Sequence, residues 1–144
     1  MTRHPCPLVP ISWGELLDKI SILEIKRERI GDAAALANVL NELRLLERAA
    51  EPVAGAAAIV ALRARLKSVN ERLWEIEDGI REKEREGDFG EDFVALARSV
   101  YQRNDERAAI KREINLLLGS DLIEEKSYAD SRSAFFAAAP GAPA

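Results

Sequence analysis

One cysteine and one histidine serve all 144 residues, and both stand in the first six, as Cys6 and His4. A lone cysteine cannot close a disulfide within the chain, and no Cys/His zinc site can be assembled from this set. The only imidazole lies in a proline-containing leader, so histidine acid–base chemistry has almost nothing to work with. The longest near-apolar stretch, Val53 to Leu62, is diluted by Ala and Gly and falls far short of the ~20 residues that cross a bilayer. The N-terminus lacks the charged-then-apolar pattern of a signal peptide. The expectation is a cytoplasmic protein without membrane insertion. Neither G-x-x-x-x-G-K-[ST] nor G-x-G-x-x-G occurs, so the common phosphate-cradling loops are missing. A net charge of −4 and a pI near 5.2 leave no basic surplus for a general nucleic-acid binder.

What remains is rich in Ala, Leu, Glu, Arg and Ile, the composition of a helical protein. One domain fits the length. Residues 1–11 hold three prolines and read as an extended N-terminal arm. Ser12 with Glu15 forms the capping-box pattern S-x-x-E, so helix 1 starts there and runs to about Ile30, with Gly31 as its C′ residue. Trp13, Leu16, Leu17, Ile20, Leu23 and Ile30 make one stripe. Ile22 and Ile25 lie off it, which suggests that helix 1 packs between neighbours. Asp32 can cap helix 2, about Ala33 to Ala50, before Pro52 and Gly55 break the chain. Helix 3, about Ala56 to Glu86, carries Ile59, Leu62, Leu66, Val69, Leu73, Ile76 and Ile80 at 3-4 spacing, a coiled-coil-like seam. Gly87 to Gly90 turn the chain, and helix 4 spans about Glu91 to Leu118. One further helical turn is expected within Ser120 to Ala129, and residues 130–144 read as a disordered Ala/Pro tail. The fold expected is all-α: an antiparallel bundle of about four helices, residues 12–129, around a helix 3/helix 4 hairpin ~45 Å long.

The polar run Gln102 to Arg107 interrupts the apolar stripe of helix 4. Six residues are nearly two turns, so some must point into the bundle and need partners there. With the turn centred near residue 89, facing positions on helices 3 and 4 sum to about 178. That places Arg107 opposite Glu71, Asn104 opposite Trp74, and Tyr101 near Glu77 and Asp78. Lys111 and Asn115 continue the polar line. The candidate ligand-binding set is therefore Trp74, Glu77, Asp78, Arg81, Arg98, Tyr101, Asn104, Arg107 and Lys111. A second set on helix 1 is Asp18, Lys19, Glu24 and Lys26. The competing reading is a buried structural network that fixes helix register without any ligand. Glu75-x-x-Asp78 and Glu15-x-x-Asp18 pair carboxylates on a helix face, a Mg²⁺-holding pattern in helical nucleotide pyrophosphatases. The adjacent cations oppose metal here, so no cofactor is expected, and Mg²⁺ enters only if the layer is a ligand site.

Three segments carry a resemblance: Ser12-Trp13-Gly14-Glu15-Leu16-Leu17-Asp18-Lys19-Ile20 with Ile22 to Lys26; Leu73-Trp74-Glu75-Ile76-Glu77-Asp78 with Ile80-Arg81; and Leu96-Ala97-Arg98-Ser99-Val100-Tyr101 with Asn104-Asp105, Arg107 and Ile110 to Asn115. In this order they resemble a small bacterial family of unknown function whose members lie among surface-polysaccharide and glycosyltransferase genes. The resemblance covers about residues 10–128 and implies no particular activity, catalytic residue or cofactor. It implies that a functional surface lies on helices 1, 3 and 4, with helix 2 as spacer.

Two functions are compatible with these features. The first is a non-enzymatic helical interaction protein, a homo-oligomer (a homodimer) with an unidentified protein partner, in a surface-polysaccharide pathway. Its apolar faces exceed what a thin hairpin can bury alone. The alternative is a binder or enzyme for an anionic metabolite such as a sugar phosphate, nucleotide sugar or nucleotide. Arg98, Arg107 and Lys111 would hold the anion, Glu77 and Asp78 would act as base or hold Mg²⁺, and Trp74 and Tyr101 would wall the site.

Overall fold

The Ser12 hydroxyl accepts the Glu15 N–H at 3.1 Å and the Ser12 carbonyl accepts the Leu16 N–H, so α1 begins at Trp13 and continues to Arg29. The structure, a computed structural model, describes residues 1–128. The tail expected at 130–144, with Phe135 and Phe136, lies outside them. Ile30 ends α1 by turning extended while its N–H bonds the Lys26 carbonyl at 2.8 Å. Gly31 is therefore not a left-handed C′ residue; among the described residues only Gly87 and Gly119 have positive φ.

Asp32 caps α2 as expected, its carboxylate accepting the Ala35 N–H at 2.8 Å. This helix, Ala33–Ala54, runs past Pro52 instead of stopping at Ala50. A proline two residues from a helix end removes a bond from a turn that frays in any case, so it costs little there. The third helix, α3, spans Ala57–Glu86 and the fourth, α4, Glu91–Leu117. Both end alike. Gly87, at φ 65, donates to the Glu84 carbonyl while Asp88 N–H reaches Lys83. Gly119, at φ 60, donates to Leu116 while Ser120 N–H reaches Asn115. These paired bonds are Schellman motifs, and each needs a residue without a Cβ at its left-handed position. The chain leaves the second motif without helix up to residue 128, so the extra turn expected after Ser120 is not formed in the described part.

Among the described residues the architecture is an all-α bundle of four helices. α3 and α4 form the most extensive pair, α1 packs on α2, α3 and α4, and α2 leans on α1 with slight contact to α3. Helix α1 is thus the central element, as its two apolar faces suggest. The core joins Leu16, Leu17, Ile20 and Leu23 of α1 to Val39 and Leu43 of α2. Across from them lie Ile59, Leu62, Leu66, Val69 and Leu73 of α3 and Ile110 and Ile114 of α4. Burial stops abruptly along the hairpin, with Leu73 the last buried residue of α3 and Ile110 the first of α4. α1 ends near this level, where Arg29 reaches Glu75 at 3.4 Å and lies over the Trp74 ring. Past it the α3/α4 pair projects as a two-helix arm. The hairpin register agrees with expectation: Arg65 pairs with Glu113 at 3.0 Å and Arg72 with Glu106 at 3.9 Å, positions that sum to 178 in both cases.

Candidate functional site

Gly14, Asp18, Ser21 and Ile25 follow one another at helical spacing and are all buried, so α1 has a second, partly polar face beside its apolar stripe. Gly14 lets that face approach α4. A Cβ there would lie 2.5 Å from the Lys111 carbonyl oxygen and 2.9 Å from Asn115 Oδ1. The approach satisfies the start of α1: Gly14 N–H donates to Asn115 Oδ1 at 2.7 Å and Trp13 N–H to Ser120 Oγ at 3.4 Å. With the two Ser12 bonds, all four N-terminal N–H groups of α1 have partners.

One turn on, Asp18 is fully buried. Its carboxylate accepts two hydrogen bonds from Arg107, through Nε at 2.9 Å and through Nη2, in the fork geometry that suits guanidinium and carboxylate. Asn70 Nδ2 donates to Asp18 Oδ1 at 2.9 Å and to Ser21 Oγ at 2.7 Å, and Ser21 Oγ donates to the Asp18 carbonyl at 2.8 Å. Lys111, whose side chain is 9% exposed, reaches Glu15 at 2.7 Å and Glu124 at 2.8 Å, with Asp18 Oδ2 4.0 Å away. Glu124 also takes Lys126, at 2.9 Å. Among the described residues no buried side-chain N or O atom lacks a partner. The Asp18 carboxylate holds the Arg107 guanidinium in its charged form, raising its pKa. Burial works against the Lys111 ammonium, but Glu124 and Glu15 outweigh it and raise its pKa as well. Lys111 and Lys126 hold the Glu124 carboxyl down at about 2.

The structure thus brings together Asp18, Arg107 and Lys111 from the two candidate sets and adds Asn70, Ser21, Glu15 and Glu124. Arg107 lies at the level of Glu71 in the hairpin register, but its ion-pair partner is the buried Asp18 of α1. Glu24 belongs to another face, where it meets Arg63 at 3.1 Å and Lys67 at 3.9 Å. Lys19 is exposed and pairs with Glu15 at 3.8 Å, while Lys26 is half-buried. Glu77 and Arg81 pair along α3 at 3.9 Å, both exposed. Asp78 and Arg98 are exposed and have no ion-pair partner within 4.0 Å among the described residues. Trp74 is half-buried beneath Arg29.

Tyr101 and Asn104 belong to a different feature. An open groove of ≈ 520 Å³ runs along α4, lined by Val100, Tyr101, Asn104, Arg107, Lys111 and Tyr128 among others. Residues 121–128 form its other wall, with Arg112–Glu125 at 3.2 Å as a second tie to α4. Among the described residues no three His, Cys, Asp or Glu side chains converge as a metal-ion site, and no helix is long and apolar enough to cross a membrane.

Asn70 had a legible signal. In Leu66-Val69-Asn70-Leu73 it takes the i+4 place on a buried stripe, where an amide must find a partner. Glu124 had none, since it follows the last helix and its position depends on how the chain folds back.

No curated protein and no solved structure matches the chain. A family model does, over residues 8–138, and the chain belongs to that family, a family of unknown function (DUF6165).

Proposed function

We propose that the protein is a non-enzymatic helical interaction protein whose docking surface is the α3/α4 arm. The observation that carries this is the absence of any buried residue between Leu73 and Ile110 in a segment that keeps its apolar pattern. Phe93, Leu96 and Val100 are half-covered against α3, and a second stripe on α4 shows Val94 and Tyr101 about half exposed. At 3-4 spacing that second stripe continues through Asn104 and Ala108 to Lys111 and Asn115, the positions α1 covers in the bundle. A partner helix on the arm would extend the line that α1 abandons at Arg29.

Charge selects the partner. Residues 76–102 carry eight acidic and four basic side chains, so the arm holds a net charge equal to that of the whole chain. Two arms side by side would repel, whereas a helical segment with an apolar stripe and a positive balance fits. The polar layer speaks for this reading over catalysis, because its buried groups are engaged with one another. A surface-polysaccharide pathway as the setting is part of the proposal and is supported by the family resemblance.

A photo-crosslinker placed at Val94 should join the chain to one basic polypeptide, while the same group at Leu40 on the exposed side of α2 should not. Crosslinks only between copies of the chain would replace the proposal with a homo-oligomer. Crosslinks at neither position, or equally at both, would remove the arm as the docking surface.

A further inference from the structure

Among the described residues, Glu124 is the one carboxylate of the central polar cluster that does not come from a helix. It sits on residues 121–128, a stretch without helix or strand in which every residue is exposed. Its carboxylate bridges Lys111 and Lys126 at 2.8 and 2.9 Å. Lys111 from α4 and Lys126 from the same stretch are therefore arranged around a negatively charged group. Without Glu124, the cations Lys19, Arg107, Lys111 and Lys126 face the carboxylates Glu15 and Asp18, with Asp105 on the groove wall as the remaining opposing charge. The balance stays positive.

We infer that the groove beside α4 is a binding site for a small phosphate monoester bearing a ring, and that Glu124 occupies the phosphate position when the site is empty. The ≈ 520 Å³ groove has the volume of a small-ligand site. Arg107 uses Nε and Nη2 on Asp18, which leaves Nη1 for a further acceptor. The Asn104 side chain and the Tyr101 and Tyr128 rings line the same space, and each offers a hydrogen bond or an apolar wall. Exchange of one anion for another on Lys111 and Lys126 keeps their charges paired, so entry requires displacement of Glu124 and not the burial of a bare charge. Lys111 itself remains anchored by Glu15 during the exchange. This site shares Tyr101 and Asn104 with the stripe proposed for docking, but the phosphate titration and the Val94 crosslink read different positions, so either reading can fail without the other.

Phenyl phosphate is the probe, titrated into the full chain and followed by amide chemical shifts and calorimetry. Glu124→Gln removes the competing charge from an exposed segment, so the fold should persist, as an unchanged helical circular dichroism spectrum would verify. The variant should bind phenyl phosphate at least tenfold more tightly than the native chain, with the largest shifts at Tyr101, Asn104, Lys111 and Tyr128. Adding Lys126→Ala to it should lose most of that gain. Equal affinity in the native chain and Glu124→Gln, shifts elsewhere, or equally good binding of uncharged benzyl alcohol would overturn the assignment.

Discussion

At Leu66 the α3/α4 pair lies under α1, and no side-chain surface of that leucine reaches water; at Ile80, four turns along the same helix, the pair stands alone and the isoleucine is partly exposed. The apolar spacing is unchanged between the two positions. What changes is the number of helices around them. The region below Leu73 combines three or four helices with a buried ionic network. The region above it has two helices, whose packing shows in the 3.3 Å approach of a Gly79 Cβ position to Leu96. A 3-4 repeat thus specifies that a stripe will meet a partner, and leaves open how many partners it meets.

The sharpest way to break the lower region is to remove one side of its ion pair. Arg107→Met should cost about 3–5 kcal/mol in urea denaturation, because Asp18 remains buried with Asn70 as its main support. A loss below about 1 kcal/mol would mean that water reaches Asp18 and that the layer is open. Next in size is the contrast between the regions themselves. Leu66→Ala should cost about 2–5 kcal/mol, as for a filled core site. Ile80→Ala should cost about 1–2 kcal/mol, since the side chain is already partly exposed and only two helices surround it. Similar values for the two would mean that a partner copy covers the arm in solution.

The smallest effect belongs to the edge of the network. Because Lys111 and then Lys126 lower the Glu124 carboxyl from 4.5 to about 2, its contribution is complete above about pH 5 and is lost as the pH falls through 4.5 towards 2. Shifts of Tyr128 and Lys126 followed over that range should report release of residues 121–128 while the helices stay folded. Release centred at 4.5 or above would show that Glu124 is not held by the two lysines.

Much of this organisation could be read from residue order. Ser12, Asp32, Gly87 and Gly119 mark helix ends by local chemistry, and Ile59 to Leu73 mark a buried seam by spacing. The hairpin register followed from the short turn, as Arg65–Glu113 and Arg72–Glu106 show. The site was legible only in part. Spacing within one hairpin orders α3 against α4 but says nothing about where α1 crosses them. Arg107 was therefore assigned to the level of Glu71, whereas Asp18, eighty-nine residues away, takes it. The decisive residue for that approach is Gly14, which in the sequence is merely a glycine in a first helical turn. Its meaning comes from the backbone of α4 against it.

The span between Asp18 and Arg107 also bears on how the chain is made. At translation rates of roughly 5–20 residues per second, the partner of this carboxylate is synthesised about 4–18 s after it. Through that interval α1 lacks one of the three helices it packs against, and an early collapse would trap an unpaired charge. Burying Asp18 with its charge matched therefore has to wait for α4, the last helix of the described residues to emerge.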